Sequence, residues 1–232
     1  MDHDLLVERF FETLIAGDRQ GAKALVTQAQ RAGFDPRDLI SEMFWPTYQL
    51  VEKLHRDDQI TTLNYQLATR LMRVLVDRSA AELTAEAPRG KTIFAVCGPT
   101  DCDELGAQMA VDLLDAAGFQ VTFAGGGLPA DEVLAQVHQA RPDVLLMFAS
   151  GPSDLPGIRQ IIDQLREIGA CPNTTVAVGG GVFNRAEGLA SEIGAAICAS
   201  TPIEMVDELC TPRAAPASAE ARQPAKRVRR AA

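Results

Sequence analysis

The hydrophobic periodicity of this chain changes once, at Pro88-Arg89-Gly90, and that change limits the fold more than any other feature. From Leu5 to about Ala85 the apolar residues recur at helical spacing, as in Leu6, Phe10 and Leu14 or Leu67, Leu71 and Leu75. No strand-like alternation interrupts them, so four helices account for this half. Gly17-Asp18 and Gly33-Phe34-Asp35-Pro36 are stop and start signals, with Asp35 as N-cap and Pro36 at the first helical position. Pro46 lacks an N–H and is expected to break or kink the third helix near Trp45.

Beyond Gly90 short apolar runs take over: Thr92 to Cys97, Gln120 to Phe123, Val144 to Ala149, Val176 to Val178 and Ala195 to Cys198. Each is followed by a helical stretch, and such alternation specifies a parallel sheet. Strands this continuously apolar need helices on both faces. The predicted architecture is α/β: a four-helix bundle cap over residues 1–87, then a flavodoxin- or Rossmann-like five-stranded parallel sheet domain over 88–211. A disordered basic tail is expected over 212–232.

Ligands of such sheets sit outside the carboxyl ends of the strands. Four small-residue loops fall there: Gly98 to Asp103, Gly125-Gly126-Gly127, Ser150-Gly151-Pro152 and Gly179-Gly180-Gly181. Glycines also serve ordinary tight turns. Together with Ser150 they form a shelf that backbone and a bulky ligand can approach closely. Neither a Gly-x-x-x-x-Gly-Lys phosphate loop nor a Gly-x-Gly-x-x-Gly fingerprint follows the first strand, which argues against an ordinary nucleotide site.

Charge narrows the partners. The formal net charge is -9, yet Arg213 to Ala232 holds six Arg or Lys against one Glu, which is +5 and leaves -14 for the rest. An acidic body repels phosphate backbones, so direct nucleic-acid binding by the folded part is not expected. The tail serves solubility or an electrostatic contact to nucleic acid or an acidic partner. No run approaches the roughly 18 apolar residues of a membrane span. The acidic start, Met1-Asp2-His3-Asp4, lacks a basic signal flank, and a cytoplasmic location is expected. Five cysteines without C-x-x-C spacing suggest neither a disulfide framework nor a zinc site, and most read as buried apolar fillers.

Ala16-Gly17-Asp18 through Gly33-Phe34-Asp35-Pro36, followed by Val51 to Thr61, resembles the helical cap of methionine-synthase-type and light-sensing cobalamin proteins. The second half resembles their corrinoid-binding domain. Its matching residues are Asp101 and Gly106 of an Asp-x-His-x-x-Gly motif, Ser150 of Ser-x-Leu, and Gly179-Gly180 of a late Gly-Gly, so the resemblance spans about residues 5 to 210. It implies a tetrapyrrole, cobalamin or else a bilin or haem, held between cap and shelf, with Gly125 and Gly126 on the ligand side. In that family the motif histidine ligates cobalt from below, and the aspartate two residues earlier holds its ring. The histidine position falls on Asp103, a poorer match for cobalt than imidazole that adds charge beside Asp101 and Glu104. What remains is cobalamin with its own benzimidazole bound, a corrinoid with water below, or a different tetrapyrrole. From the residues alone Asp101 and Asp103 also suit capping, with Asp101-x-x-Glu104 approximating a capping box.

Light-sensing members press a Trp and a Glu-His pair on the upper face; aligned through Ile60-Thr61, this chain has His55 and then Tyr65-Gln66. The resemblance makes Tyr65 and Gln66 stacking or hydrogen-bonding groups and His55 a metal ligand from above. Without a ligand His55 is a surface histidine in an Arg-Asp-Asp neighbourhood. His3 and His138 read as solvent-exposed, and Trp45 as a bundle core residue. Cys102 lies between two aspartates whose field raises a thiol pKa and blunts the reactivity that a covalent bilin or redox role needs.

No nucleophile–base pair, catalytic carboxylate pair or metal triad stands out, so the chain is not expected to be an enzyme on its own. The first expectation is a tetrapyrrole-binding sensor or regulator, a photoreceptor or transcriptional regulator without its own DNA-binding domain, signalling through cap movement to a protein partner or a second copy. The alternatives are a cofactor-less adaptor, a bilin or haem sensor, and a corrinoid methyl-carrier subunit.

Overall fold

Side-chain caps set where the helices of the first half begin. In the computed structural model, which describes residues 3–169 and 171–211 without the side chains of Asp101 and Cys102, Asp18 accepts the N–H groups of Gln20 and Gly21. It thereby starts α2 (Arg19–Arg31) behind α1 (His3–Ile15). Asp35 and Asp38 form a reciprocal capping box around Pro36, as the sequence predicts. From there one helix continues through α3 (Pro36–Asp38), a π-helical segment (Leu39–Phe44) and α4 (Trp45–Arg56). The expected break at Pro46 is corrected. The Trp45 N–H bonds to the Ile40 carbonyl five residues back, and this bulge carries the proline within an unbroken helix. Thr61 caps α5 (Thr62–Ala80) and completes the four-helix cap.

The second half alternates as predicted: β1 (Thr92–Cys97), α6 (Asp101–Ala116), β2 (Gln120–Gly126), α7 (Ala130–Ala140), β3 (Val144–Phe148), α8 (Leu155–Ile168), β4 (Thr175–Gly179), two short helices α9 (Gly181–Arg185) and α10 (Leu189–Ile193), β5 (Ile197–Ala199) and α11 (Pro202–Cys210). The strands are all parallel in the order β2-β1-β3-β4-β5, the flavodoxin arrangement. Period-two alternation divides them between two cores. Ile93, Ala95 and Leu146 face α6, α11 and the cap, in one cluster with Phe10, Phe44 and Leu71. Phe94, Val96, Leu145 and Met147 face α7 and α8 on the other side. The segment joining cap to sheet is strapped to the end of α6: Glu86 N–H reaches Ala116 O at 2.7 Å and Arg89 N–H reaches Gly118 O at 2.8 Å.

Along the seam between α5 and α6, Arg73 pairs with Glu104 at 3.7 Å. Farther down α6, half-buried Asp112 accepts from the Gln108 amide through Oδ1, while its Oδ2 is buried with no partner. Burial pushes the Asp112 carboxyl up to about 6, opposed by the Gln108 bond and reinforced by Asp77 and Asp115.

Two sequence expectations change. His138 is half-buried rather than exposed, with Nε2 shut off from solvent and unpartnered, because α8 packs against α7. Cys198 is exposed, although Cys97, Cys171 and Cys210 are at least half-covered, as fillers should be. The tail over 212–232 lies outside the described residues. Among the described residues no helix is long and apolar enough to cross a membrane.

Candidate functional site

The rim at the carboxyl ends of the strands is built from backbone. A Cβ on Gly126 would lie 2.0 Å from the Gly98 carbonyl, and one on Gly180, where φ is +105°, would lie 2.3 Å from the Ala149 carbonyl. Gly179 is packed against the Phe148 ring, and Gly125 faces the Glu104 carboxylate. These glycines therefore let neighbouring rim loops touch one another. Their spacing alone does not require a ligand.

Helix α6 begins one residue earlier than the sequence suggests. Thr100 is its N-cap, and the box is Thr100 with Asp103, not Asp101 with Glu104. Asp103 N–H donates to Thr100 Oγ1 at 3.1 Å, while Asp103 Oδ2 accepts from the Thr100 N–H at 3.1 Å and its hydroxyl at 2.6 Å. Asp103 is only 6% exposed, and its Oδ1 is buried without a partner. The predicted roles of the Asp101 and Cys102 side chains lie outside the described residues. The field expected at Cys102 acts on Cys97 at the end of β1, whose thiol is pushed up to about 12 by burial, then by Glu104 and Asp103.

Above the rim the cap contributes side chains. Tyr48 of α4 packs on Gly106 of α6, where an added Cβ would meet the hydroxyl at 2.7 Å. Trp45 stacks on Tyr48 with ring centroids 5.3 Å apart. Between α4 and the rim lies a cavity of about 200 Å³, lined from the cap by Trp45, Tyr48, Gln49, Glu52, Lys53 and Arg56. Ser150, Gly181, Asn184 and Arg185 line it from below. Arg185 Nη2 donates to the Ser150 carbonyl at 2.6 Å. Burial, then the nearby Arg56 charge, holds the Arg185 guanidinium below its ordinary value, with Glu52 acting the other way.

Of the residues singled out in the sequence, Ser150 lines this cavity, and Gly180 flanks it next to Gly181. His55 and Tyr65 are brought together as a stack with centroids 3.9 Å apart and planes 17° from parallel, and Tyr65 Oη donates to Glu52 at 2.6 Å. Neither lines the cavity directly, and Gln66 is exposed. Among the described residues no three His, Cys, Asp or Glu side chains converge to hold a metal ion. The α4 stripe and Arg185 were missed by sequence reasoning. Their signal is the helical spacing of Trp45, Tyr48, Gln49, Glu52, Lys53 and Arg56.

Comparison with known proteins matches both halves. Residues 91–207 match a family model described as B12 binding domain, and residues 6–78 match a second model of the same description. The methanol–corrinoid protein of Methanosarcina barkeri is 26% identical over 183 residues, covering 78% of this chain and 70% of that protein. Dimethylamine corrinoid protein 1 of Methanosarcina acetivorans is 23% identical over 209 residues, 89% of this chain and 96% of that one. The solved structure of the Methanosarcina barkeri monomethylamine corrinoid protein superposes with a TM-score of 0.77 at 18% identity, over 89% of this chain and 97% of the other. That likeness establishes the shared fold of cap and sheet.

Proposed function

This chain belongs to the family of B12 binding domains, and from that premise we propose that it is a corrinoid carrier serving a partner methyltransferase. It is a corrinoid-binding module; the carrier role is the finer reading. The carrying observation is that cap and sheet together match relatives named as methanol and methylamine corrinoid proteins over most of both chains. None of the relatives named above is called a sensor, a photoreceptor or a bilin protein. The carrier reading therefore displaces the sensor that the sequence first suggested, and cobalamin displaces bilin and haem.

The residues between α4 and the rim suit a corrinoid. An aromatic pair, Trp45 and Tyr48, faces Ser150 and Arg185 across the cavity, and the buried Trp45 Nε1 has no acceptor. The space does not suit it yet. About 200 Å³ is below the roughly 300–1,000 Å³ of ordinary small-molecule sites, so entry of a macrocycle requires α4 to lift from the rim. A bound corrinoid would supply a cobalt centre able to accept and release a methyl group. This chain's part is to hold the ring, exclude water from its upper face with the cap, and present it to the partner. Asp103 is buried with its Oδ2 engaged by Thr100, and its part would be to cap α6.

The test is visible-absorption titration of the purified protein with hydroxocobalamin, methylcobalamin, haemin and biliverdin, followed by gel filtration. Both cobalamins are expected to co-elute with altered spectra, and neither haemin nor biliverdin to do so. Illumination of protein loaded with adenosylcobalamin should leave its oligomeric state unchanged. A light-driven change of assembly would restore the photoreceptor reading, and silence with all four ligands would leave the adaptor.

A further inference from the structure

The polar groups lining the cavity are unbalanced in sign. Lys53 and Arg56 on α4 and Arg185 on α9 bring three positive charges, and the lining carries one carboxylate, Glu52. Glu52 already accepts the Tyr65 hydroxyl at 2.6 Å. Asp57 meets Arg56 at 3.9 Å without lining the cavity. Arg56 on the cap is close enough to Arg185 on the rim to disfavour the Arg185 charge. Trp45 lines the same space, is 8% exposed, and keeps its indole N–H buried with no acceptor. A buried donor without an acceptor is unfavourable until a ligand supplies one. These observations, one electrostatic and one of hydrogen bonding, call for the same kind of guest: acceptor oxygens carrying negative charge.

We propose that this cavity is a specificity subsite for the periphery of the bound corrinoid, and that it prefers a ring bearing a free carboxylate to one whose peripheral groups are all amides. The proposal rests on the corrinoid reading above. An amide carbonyl would satisfy Trp45 Nε1 but add no negative charge beside Lys53 and Arg185. A carboxylate does both, because charge-assisted bonds to a guanidinium are shorter and stronger than neutral ones and the planar Arg fork fits two oxygens at once.

The full-length protein is titrated with cyanocobalamin and, separately, with each monocarboxylic acid made by hydrolysing a single peripheral amide. Quenching of Trp45, the sole tryptophan, and the visible spectrum report binding. At least one positional isomer is expected to bind about tenfold tighter than cyanocobalamin, the factor for roughly 1.4 kcal/mol. Arg56→Gln and Arg185→Gln should each bring that ratio towards one. Arg185 also holds the Ser150 carbonyl, so Arg56→Gln keeps the test valid if the rim shifts. Isomers that all bind equally to or more weakly than cyanocobalamin overturn the proposal and leave corrinoid binding intact. Competition by acetate or inorganic phosphate at equal concentration overturns it in favour of a free-anion site, and failure of every corrinoid to bind removes the functional reading as well.

Discussion

Two of the places where the cap meets the sheet half are built differently. Along α5 and α6 the contact is closed, with the Arg73–Glu104 pair near the rim and half-buried Asp112 below it. Over the rim, α4 touches α6 where Tyr48 covers Gly106 and then stands off, leaving the cavity. The seam can hold the cap while the α4 edge is where space opens. The lower wall of that space includes rim backbone packed against backbone, whereas its upper wall is a row of long side chains from α4.

The largest test of this contrast is Gly180→Ala, which forces a Cβ to 2.3 Å from the Ala149 carbonyl at a φ of +105°. Strain and overpacking together should cost about 3 kcal/mol or more, read from the urea midpoint. An unchanged midpoint would mean that the rim is not a fixed wall. Next, Gly106→Ala pushes on the Tyr48 hydroxyl at 2.7 Å and should cost about 1–3 kcal/mol, with part recovered in the double variant with Tyr48→Phe. No cost would show that α4 already rides free of α6.

The smallest effect, and the one that sharpens the seam, is Asp112→Asn. The folded carboxyl titrates at about 6, above its ordinary value, so the folded state binds the proton more tightly than the unfolded chain. Stability should fall as pH rises from about 4 through 6 and stay reduced above that. The asparagine variant should lose this fall and be more stable at pH 7.5, by about 1 kcal/mol once solvent screening at a half-buried site is allowed for. Thermal melts across that range decide it, and identical pH profiles would show that Asp112 carries no strain.

Most of the fold was legible because its signals are local. Asp35-Pro36 caps a helix by its own chemistry, and continuous apolar runs such as Val144 to Phe148 have no solution but a strand covered on both faces. The site was less so. The π segment at Leu39–Phe44 adds a residue to the helical turn and rotates everything after it by about 100°, so the apolar stripe before Trp45 does not point to the cavity face beyond it. A one-residue slip likewise hid the cap of α6: Asp is the stronger N-cap by residue type, but Asp103 closes a reciprocal box with Thr100. Arg185 could not be placed at all, since its neighbour Arg56 is supplied by tertiary packing across 129 positions of sequence.

Cys97 carries a consequence for the proposed carrier role. A carrier works beside electrophilic carbon, and a thiolate at the rim would compete for it irreversibly. With its thiol pushed up to about 12, Cys97 stays in the thiol form at neutral pH, and that form is a feeble nucleophile. Burial first, and then the carboxylates of Glu104, Asp103 and Asp154, would keep a carrier's own thiol from taking the methyl group.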